Sequence, residues 1–159
     1  MTEKTYNFKT KNVDETEKFG YYIAKTLDEG SFGSAFIALR GEMGVGKTAF
    51  TRGFAEYFGI KNVKSPTYSI LNEYRGKTSI FHFDTYRIET EDDLISIGYD
   101  DYLERRGYII CEWSEKIDEF LPYDCIFLSI NRVCDKENER SIELSLRGNT
   151  QNLSFKEKF

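Results

Sequence analysis

Residues 41–48 read G-E-M-G-V-G-K-T and match the phosphate-binding pattern G-x-x-x-x-G-K-[S/T] at every fixed position. The apolar run at residues 34–39 is typical of a short strand, and residues 48–58 have the apolar spacing of a helix. A strand, a glycine-rich loop and a helix, in this order, are the local structure that this P-loop motif requires. We therefore predict a nucleoside triphosphate site with Mg²⁺, rather than a glycine-rich turn that binds nothing.

The residue types of the loop explain how it would hold phosphate. Gly41, Gly44 and Gly46 allow backbone conformations that are closed to residues with a Cβ, so successive N–H groups can surround phosphate oxygens. The following helix adds its unpaired N–H groups and the positive end of its dipole. The Lys47 ammonium is expected to reach the β- and γ-phosphates, and the Thr48 hydroxyl to bind Mg²⁺. The residues predicted to contact nucleotide in this segment are Glu42, Met43, Gly44, Val45, Gly46, Lys47, Thr48 and Ala49.

Composition limits the kind of protein. The 159 residues predict one domain, residues 1–159, with a sizeable core. The net charge of −5 argues against a broad basic surface that binds nucleic acid unaided. The cysteines, Cys111, Cys125 and Cys134, are widely spaced and far from the single histidine, which disfavours a zinc site and indicates reduced thiols. With no apolar signal core and no stretch of transmembrane length, a soluble cytoplasmic protein without membrane contact is expected.

Apolar spacing outlines the other elements. A helix is predicted at residues 13–27, with Asn12 or Asp14 as its cap and Gly30 at its end, and a short helix is predicted after the cap Thr90. Strands are predicted at residues 68–74, 78–86, 108–111, 126–130 and 141–146, the first two joined as a hairpin by a turn at residues 75–77. The polar tail from about residue 149 is expected to be loose. The predicted fold is α/β, a single P-loop NTPase domain with a mixed, largely parallel central sheet flanked by helices.

Two carboxylates are candidates for the second half of the site. A P-loop protein needs an acid at the end of another strand to hold Mg²⁺ and a group to orient the attacking species. Glu112 follows four apolar residues, the pattern of a strand buried on both faces. Asp84 follows residues 79–83, whose alternation predicts a strand with one exposed face. Both are expected at strand ends above the loop, where α/β sheets bind ligands, and the sequence leaves open which acid binds Mg²⁺ directly.

Further motifs follow the loop in a fixed order. They are S-P-T at residues 65–67, H-F-D-T-Y-R at 82–87, D-L-I-S-I-G at 93–98 and E-W at 112–113. Together with the P-loop they resemble the TsaE family, also called YjeE, the small bacterial P-loop ATPases needed for threonylcarbamoyl modification of tRNA adenosine. The resemblance runs from about Thr16 to about Trp113. After Glu115 it is limited to the strand pattern, and Ser114 stands where proline is common in the family.

The resemblance implies roles for the matching residues. Lys47, Asp84 and Glu112 form the catalytic set, and Thr48, Asp84 and Glu112 hold the metal. Asp84 stands where the family has its Walker B aspartate, and Glu112 where it has a second acid close to Mg²⁺. Thr67 resembles a switch threonine that senses the γ-phosphate, although a turn set by the preceding proline accounts for it equally well.

Several other residues have both a functional and a structural interpretation. Trp113 lies by the nucleotide in the family, and a core or interface indole is its alternative. Arg87 and Arg140 would contact phosphate or a partner, or else form ordinary surface ion pairs. The adenine contacts are assigned to the segment before or around Thr16. The single histidine, His82, is a candidate general base, but its place inside a strand favours a hydrogen-bonded structural residue.

The implied function is a Mg²⁺-dependent ATP-binding and ATP-hydrolysing component of the tRNA N6-threonylcarbamoyladenosine modification complex. It would act with the proteins TsaD and TsaB and contact tRNA through them. A P-loop enzyme without its arginine finger or water-orienting group is slow, so activity alone is expected to be weak. The alternatives are a small-molecule or nucleoside kinase, with residues 104–107 as the candidate arginine-bearing lid, and a nucleotide-gated binding module whose hydrolysis is incidental.

Overall fold

The computed structural model describes residues 4–66, 70–156 and 158–159. Within them the strands are β1 Lys4–Thr10, β2 Ala35–Arg40, β3 Leu71–Arg75, β4 Ser79–Asp84, β5 Tyr108–Glu112, β6 Cys125–Val133 and β7 Lys136–Arg147. The α-helices are α1 Val13–Glu29, α2 Lys47–Tyr57, α3 Glu91–Ser96 and α4 Tyr99–Glu104, and 3₁₀ segments span Ser114–Phe120 and Gly148–Asn152. No helix within these ranges is long and apolar enough to cross a membrane.

All seven strands form one sheet in the order β1-β7-β6-β2-β5-β4-β3. Parallel pairing joins β6 to β2, β2 to β5 and β5 to β4. Antiparallel pairing joins β7 to both β1 and β6, and β3 to β4. Five strands therefore run in one direction and only β7 and β3 run in the other. The predicted mixed, largely parallel sheet is confirmed.

Helices cover both faces of this sheet because the central strands are apolar on both faces. In β2, Ile37 belongs to the core beneath α1 and α2, whereas its neighbour Phe36 belongs to a second core on the opposite face. The second core also contains Leu94 of α3 and Tyr99 of α4. Burial of central parallel strands on both faces is the usual arrangement of an α/β domain.

Two helices begin where capping residues predict them. The Asn12 side chain accepts a hydrogen bond of 2.9 Å from the Glu15 N–H and starts α1. Thr90 and Asp93 form a reciprocal capping box at the start of α3. Each cap satisfies backbone N–H groups that have no partner inside the helix. The prediction that Thr90 is a cap is confirmed, and of the two candidates for α1 the cap is Asn12.

Strands β3 and β4 form the predicted hairpin, although Tyr68 and Ser69, at the start of the first predicted strand, lie outside the described residues. The expectation that β4 has one exposed face is wrong. Its interior residues, including His82, are buried on both faces. The physical reason is that both faces of β4 are covered, since Ile80 belongs to the core beneath α1 and α2 and Phe81 and Phe83 belong to the core with α3 and α4. The alternation in its sequence comes from His82, a polar residue that is buried because it bonds to Glu112.

The expectation of a loose tail from about residue 149 is also corrected. After the 3₁₀ segment, Leu153 and Phe155 are buried in the core that contains α1. The Lys4 ammonium donates a hydrogen bond of 3.1 Å to the Leu153 carbonyl, and the Phe155 ring packs edge-on against Tyr6 at 5.5 Å. A segment of polar average composition is therefore attached by two apolar side chains spaced two residues apart.

Helices α1 and α2 cross in unusually close contact because each has a glycine at the crossing. A Cβ added to Gly20 would lie 2.1 Å from the Phe50 carbonyl oxygen, and one added to Gly53 would lie 1.8 Å from the Glu17 carbonyl oxygen. Both neighbours are backbone atoms, which cannot rotate away. The two glycines therefore set how closely α1 approaches the helix that follows the P-loop.

The variant Gly53→Ala tests this contact. Alanine gains about 1 kcal/mol of helix propensity over glycine, but forcing a methyl group into a filled backbone contact costs about 3 kcal/mol. We expect a net loss of about 2 kcal/mol in the free energy of unfolding, measured by urea denaturation. Glu56→Ala, at an exposed position of the same helix, should change stability by less than about 0.5 kcal/mol. Equal stability of Gly53→Ala and the wild type would contradict the close crossing.

Candidate nucleotide-binding site

The P-loop lies at the carboxyl end of the central strand β2 and leads into α2. Its glycines at positions 41, 44 and 46 have φ angles of 145°, 80° and 118°, values that residues with a Cβ rarely adopt. At Gly41 there is also no space, because an added Cβ would lie 2.5 Å from the Ile130 carbonyl oxygen. The loop thus has the glycine-dependent conformation that directs backbone N–H groups toward phosphate.

Two arginines from β6 and β7 hold the loop from the side. Arg132 and Arg140 are direct cross-strand partners. The Arg140 Nε donates to the Val45 carbonyl at 2.8 Å, and the Arg132 guanidinium donates to the Met43 carbonyl at 3.1 Å. Arg132 also pairs with the exposed Glu42 at 3.3 Å. Both guanidinium groups therefore contact the backbone of the loop, and the predicted contact of Arg140 with nucleotide stays a prediction.

The Lys47 side chain lies inside the site and is only 5% exposed. Its Nζ donates to the Gly41 carbonyl at 2.8 Å and lies 4.0 Å from the centre of the Trp113 ring. Burial lowers the pKa of the Lys47 ammonium, while the carboxylates of Glu112, Glu115 and Asp84 oppose this shift. The indole face and the neighbouring carboxylates both favour the charged form of Lys47, the form that attracts phosphate.

Asp84 and Glu112 are adjacent because they are register partners at the ends of the parallel strands β4 and β5. Glu112 is 4% exposed, whereas Asp84 is half-buried. Burial raises the pKa of the Asp84 carboxyl, its hydrogen bond from the Tyr86 N–H lowers it, and the charge of Glu112 raises it again. Two acids on neighbouring strand ends, one nearly buried and one half-buried, form a place where a divalent cation would relieve mutual repulsion.

The interpretation of His82 as a structural, hydrogen-bonded residue agrees with its position. Its imidazole is fully buried, and its Nε2 lies 2.6 Å from the Glu112 Oε2. His82 contacts Glu112 on the side away from the cavity and does not line the cavity. It has no direct access to a water molecule in the cavity, so a role as general base acting on such a water is not supported by the geometry.

A cavity of about 580 Å³ connects these groups, a volume within the usual range for small-molecule sites. Of the predicted residues it is lined by Met43, Gly44, Gly46, Lys47, Thr48, Ala49, Asp84, Arg87, Glu112 and Trp113. The hydroxyl of Thr48 and the carboxylates of Asp84 and Glu112 are the hard oxygen ligands that Mg²⁺ prefers. A glycine-rich loop at a helix start suits the phosphates of a nucleotide. The donor set and the shape of the loop therefore fit Mg²⁺ and a nucleotide.

Some predicted nucleotide contacts lie outside this lining. Thr16 is buried beneath the loop, where its hydroxyl lies 2.8 Å from that of Thr10. Glu42 points to solvent, and Val45 is buried in the core. Thr67 lies outside the described residues. The proposed roles of these four residues remain predictions.

The cavity also contains residues that the sequence did not single out. Val13, in the first turn of α1, is 58% exposed and lies on the rim in place of Thr16. The Tyr86 ring packs 4.9 Å from Trp113, and Arg52 lines the cavity while pairing with Glu17 at 2.9 Å. The sequence shows only that a valine directly follows the candidate cap Asn12. No sequence pattern marks Arg52 or Arg132 as part of the site, because the crossing of α1 and α2 positions the first and the pairing of strands positions the second.

The opposite pKa shifts of two aspartates give a matched pH test. Since burial raises the pKa of Asp84, the folded chain binds a proton there at pH values where the unfolded chain does not. The free energy of unfolding therefore falls as the pH rises from about 4, the ordinary aspartate pKa, through the raised pKa of Asp84. This loss of stability persists at neutral pH. Asp84→Asn keeps the Oδ1 that accepts the Tyr86 N–H, and it should raise the Tm of the metal-free protein at pH 7. This gain should shrink on acidification.

Asp93 is the control, because hydrogen bonds from the Glu89 and Thr90 N–H groups lower the pKa of its carboxyl. A lowered pKa contributes stability above the ordinary aspartate value that is lost as the pH falls through the lowered one. Asp93→Asn should therefore decrease the Tm at pH 7. Thermal unfolding in the presence of a chelator measures both variants, and Tm shifts of the same sign at pH 7 would contradict this account.

Comparisons with known proteins agree with the geometry. The family described as "Threonylcarbamoyl adenosine biosynthesis protein TsaE" matches residues 10–142. The tRNA threonylcarbamoyladenosine biosynthesis protein TsaE of Bacillus subtilis (strain 168) is 35% identical over 156 residues, which are 97% of this chain and 94% of that protein. The protein of the same name from Haemophilus influenzae is 40% identical over 125 residues, 77% of each chain.

Similarity of structure supports the same assignment. The crystal structure of Bacillus subtilis YdiB superposes with a TM-score of 0.76 at 31% sequence identity, covering 94% of this chain and 90% of that one. The match extends past Glu115, where the sequence motifs end. The resemblance drawn from the motifs is thus confirmed, and the chain belongs to the TsaE family.

Proposed function

We propose that this protein is the Mg²⁺-dependent ATP-binding and ATP-hydrolysing component of the tRNA N6-threonylcarbamoyladenosine modification complex, acting in the cytoplasm. The observation that carries the proposal is the meeting of the P-loop, Asp84 and Glu112 in one cavity of a chain that belongs to the TsaE family. Membership of the family supports the role in tRNA modification, and the residues of the cavity support ATP binding and hydrolysis.

In this proposal the chain's own residues bind and orient ATP for attack by water on the γ-phosphate. The loop N–H groups hold the phosphates, and Lys47 stabilises the negative charge that develops during transfer. Mg²⁺, held by Thr48 with Asp84 and Glu112, would neutralise phosphate charge when bound. The acid that does not bind the metal directly orients the attacking water.

TsaD and TsaB are the proposed partners, and tRNA is contacted through them. A net charge of −5 fits a subunit that does not itself bind a polyanion strongly. Arg132 and Arg140 donate to loop carbonyls, and Arg52 pairs with Glu17. Arg87 lines the cavity and is the chain's own candidate for a transition-state arginine, but we propose that a partner supplies this residue. Such an arginine accelerates P-loop hydrolysis by about 10³-fold or more, so weak activity alone and strong activity in the complex follow.

A small-molecule kinase is less well supported. The arginines of residues 104–107 lie at the amino end of β5, on the sheet edge opposite the P-loop. Arg105 pairs with Glu73 at 2.9 Å and lies 4.7 Å from the Phe81 ring centre, and the Arg106 guanidinium lies beside Gly33. This segment is bound into the fold away from the cavity and does not supply a lid.

Phosphate release from ATP with Mg²⁺, alone and with the TsaD–TsaB pair, tests the proposal. We expect weak activity alone, strong stimulation in the mixture, and a loss of about 100-fold or more in Lys47→Ala, because a charge that stabilises the transition state is removed. Lys61→Ala, at an exposed position outside the cavity, is the control and should retain full activity. ATP binding without any stimulation would contradict the role as a partner-activated ATPase.

A nucleotide-gated binding module is the remaining alternative, and a different readout separates it. Glu112→Gln removes the charge of one acid but keeps its size. If hydrolysis drives the cycle, this variant should bind ATP and TsaD–TsaB yet support little tRNA modification, measured as threonylcarbamoyladenosine formed per tRNA. Full modification by a variant that has lost hydrolysis would favour the gated module.

A further inference from the structure

His82 and Glu112 form a buried pair across two neighbouring strands. Because β4 and β5 are parallel with Asp84 opposite Glu112, His82 lies two residues behind that acid pair on the same face of the sheet. Its Nε2 is 2.6 Å from the Glu112 Oε2, and the two side chains are 0% and 6% exposed. Contacts this short between a ring nitrogen and a carboxylate are typical of charge-assisted hydrogen bonds.

The surroundings of the imidazole assign its proton. Among the described residues, the buried Nδ1 has no hydrogen-bond partner. With the proton on Nε2, this nitrogen donates to Glu112, and only an acceptor lone pair on Nδ1 is left unpaired. The opposite tautomer would leave a buried N–H donor without a partner and would set two acceptors against each other. The hydrogen bond therefore runs from the His82 Nε2–H to the Glu112 Oε2.

Hydrogen bonds from Thr85, the residue that follows β4, fix the backbone of Glu112. The Thr85 N–H donates to the Glu112 carbonyl at 3.1 Å, and the buried Thr85 hydroxyl lies 2.9 Å and 2.8 Å from the carbonyls of Glu112 and Trp113. Trp113 then turns with a φ of 59°. His82, two residues before Asp84, and Thr85, directly after it, thus hold the side chain and the main chain of Glu112.

We propose that His82 is a positioning residue for Glu112. It holds Oε2 below the cavity, so that the second oxygen is the one that reaches the metal or the attacking water. Oε1 accepts no hydrogen bond from the described residues, and Glu112 lines the cavity. The inference rests on the proposed ATPase function, because it assigns to His82 the placement of an acid used in that reaction.

A double-mutant cycle tests the proposal. His82→Leu should lower kcat for ATP hydrolysis by about 100-fold, the scale of an acid misplaced by about 1 Å, while the Kd for ATP changes by less than about twofold. In a Glu112→Gln background the same substitution should have no further effect on kcat, because sites that act through one another are not additive. An equal loss in both backgrounds, or no loss in the wild type, would overturn the inference.

Two further variants separate positioning from packing. His82→Gln keeps an N–H donor near the Nε2 position and should recover most of the kcat lost in His82→Leu. Ile80→Val changes a buried residue on the same face of β4 and should leave kcat unchanged. If the wild-type protein releases no phosphate in the presence of its partners, the proposed function itself fails. If the wild type is active but His82→Gln does not recover activity, only the positioning role of His82 is overturned.

A spectroscopic readout needs neither ATP nor activity. His82 is the single histidine, so ¹⁵N-histidine labelling yields one imidazole in the NMR spectrum. At neutral pH the Nε2 should carry the proton, with a strongly downfield proton signal that moves upfield in Glu112→Gln and keeps its place in Ile80→Val. A proton on Nδ1, or a signal indifferent to Glu112→Gln, would overturn the proposal.

Discussion

Parallel pairing of β2, β5 and β4 is the constraint on which the site depends. Because these strands run in one direction, their carboxyl ends meet at one sheet edge, and the segments that follow them lie side by side. The P-loop follows β2, whereas Glu112 and Asp84 end β5 and β4 as register partners. A slip of one residue between β4 and β5 would separate the acids and turn one of them to the other face.

Assembly of the site concentrates charge where little water reaches it. Lys47 and Glu112 are nearly buried, and burial shifts the pKa of Lys47 downward and that of Asp84 upward, so the charged forms of Lys47 and Asp84 are disfavoured. Hydrogen bonds, the indole face of Trp113 and opposite charges offset part of this cost. The remaining imbalance favours binding of a divalent cation and a polyphosphate, which would each supply a missing counter-charge. Stability is thus lowered at the place where ligands are expected to restore it.

The sequence predicts those parts of the candidate site that depend only on neighbouring residues in the chain. The glycines of the P-loop and an acid directly after an apolar strand, Glu112, are readable without knowing what packs against them. The His82–Glu112 hydrogen bond depends on the register of β4 and β5, and the contact of Arg132 with the loop depends on the pairing of β2 with β6. Both pairings join strands that are far apart in sequence. The burial of β4 does not follow from local pattern for the same reason, because the polar His82 is buried only through its bond to Glu112. In the tail, average polarity concealed Leu153 and Phe155.

The most direct test of the account is a crystal structure with Mg²⁺ and a non-hydrolysable ATP analogue. The account predicts the phosphates within the loop of residues 41–48, and Mg²⁺ bound by the Thr48 hydroxyl at about 2.1 Å, with Asp84 and Glu112 contacting the ion directly or through its waters. Nucleotide bound away from this loop, or Mg²⁺ held without either carboxylate, would contradict the claim that three strand ends build one site.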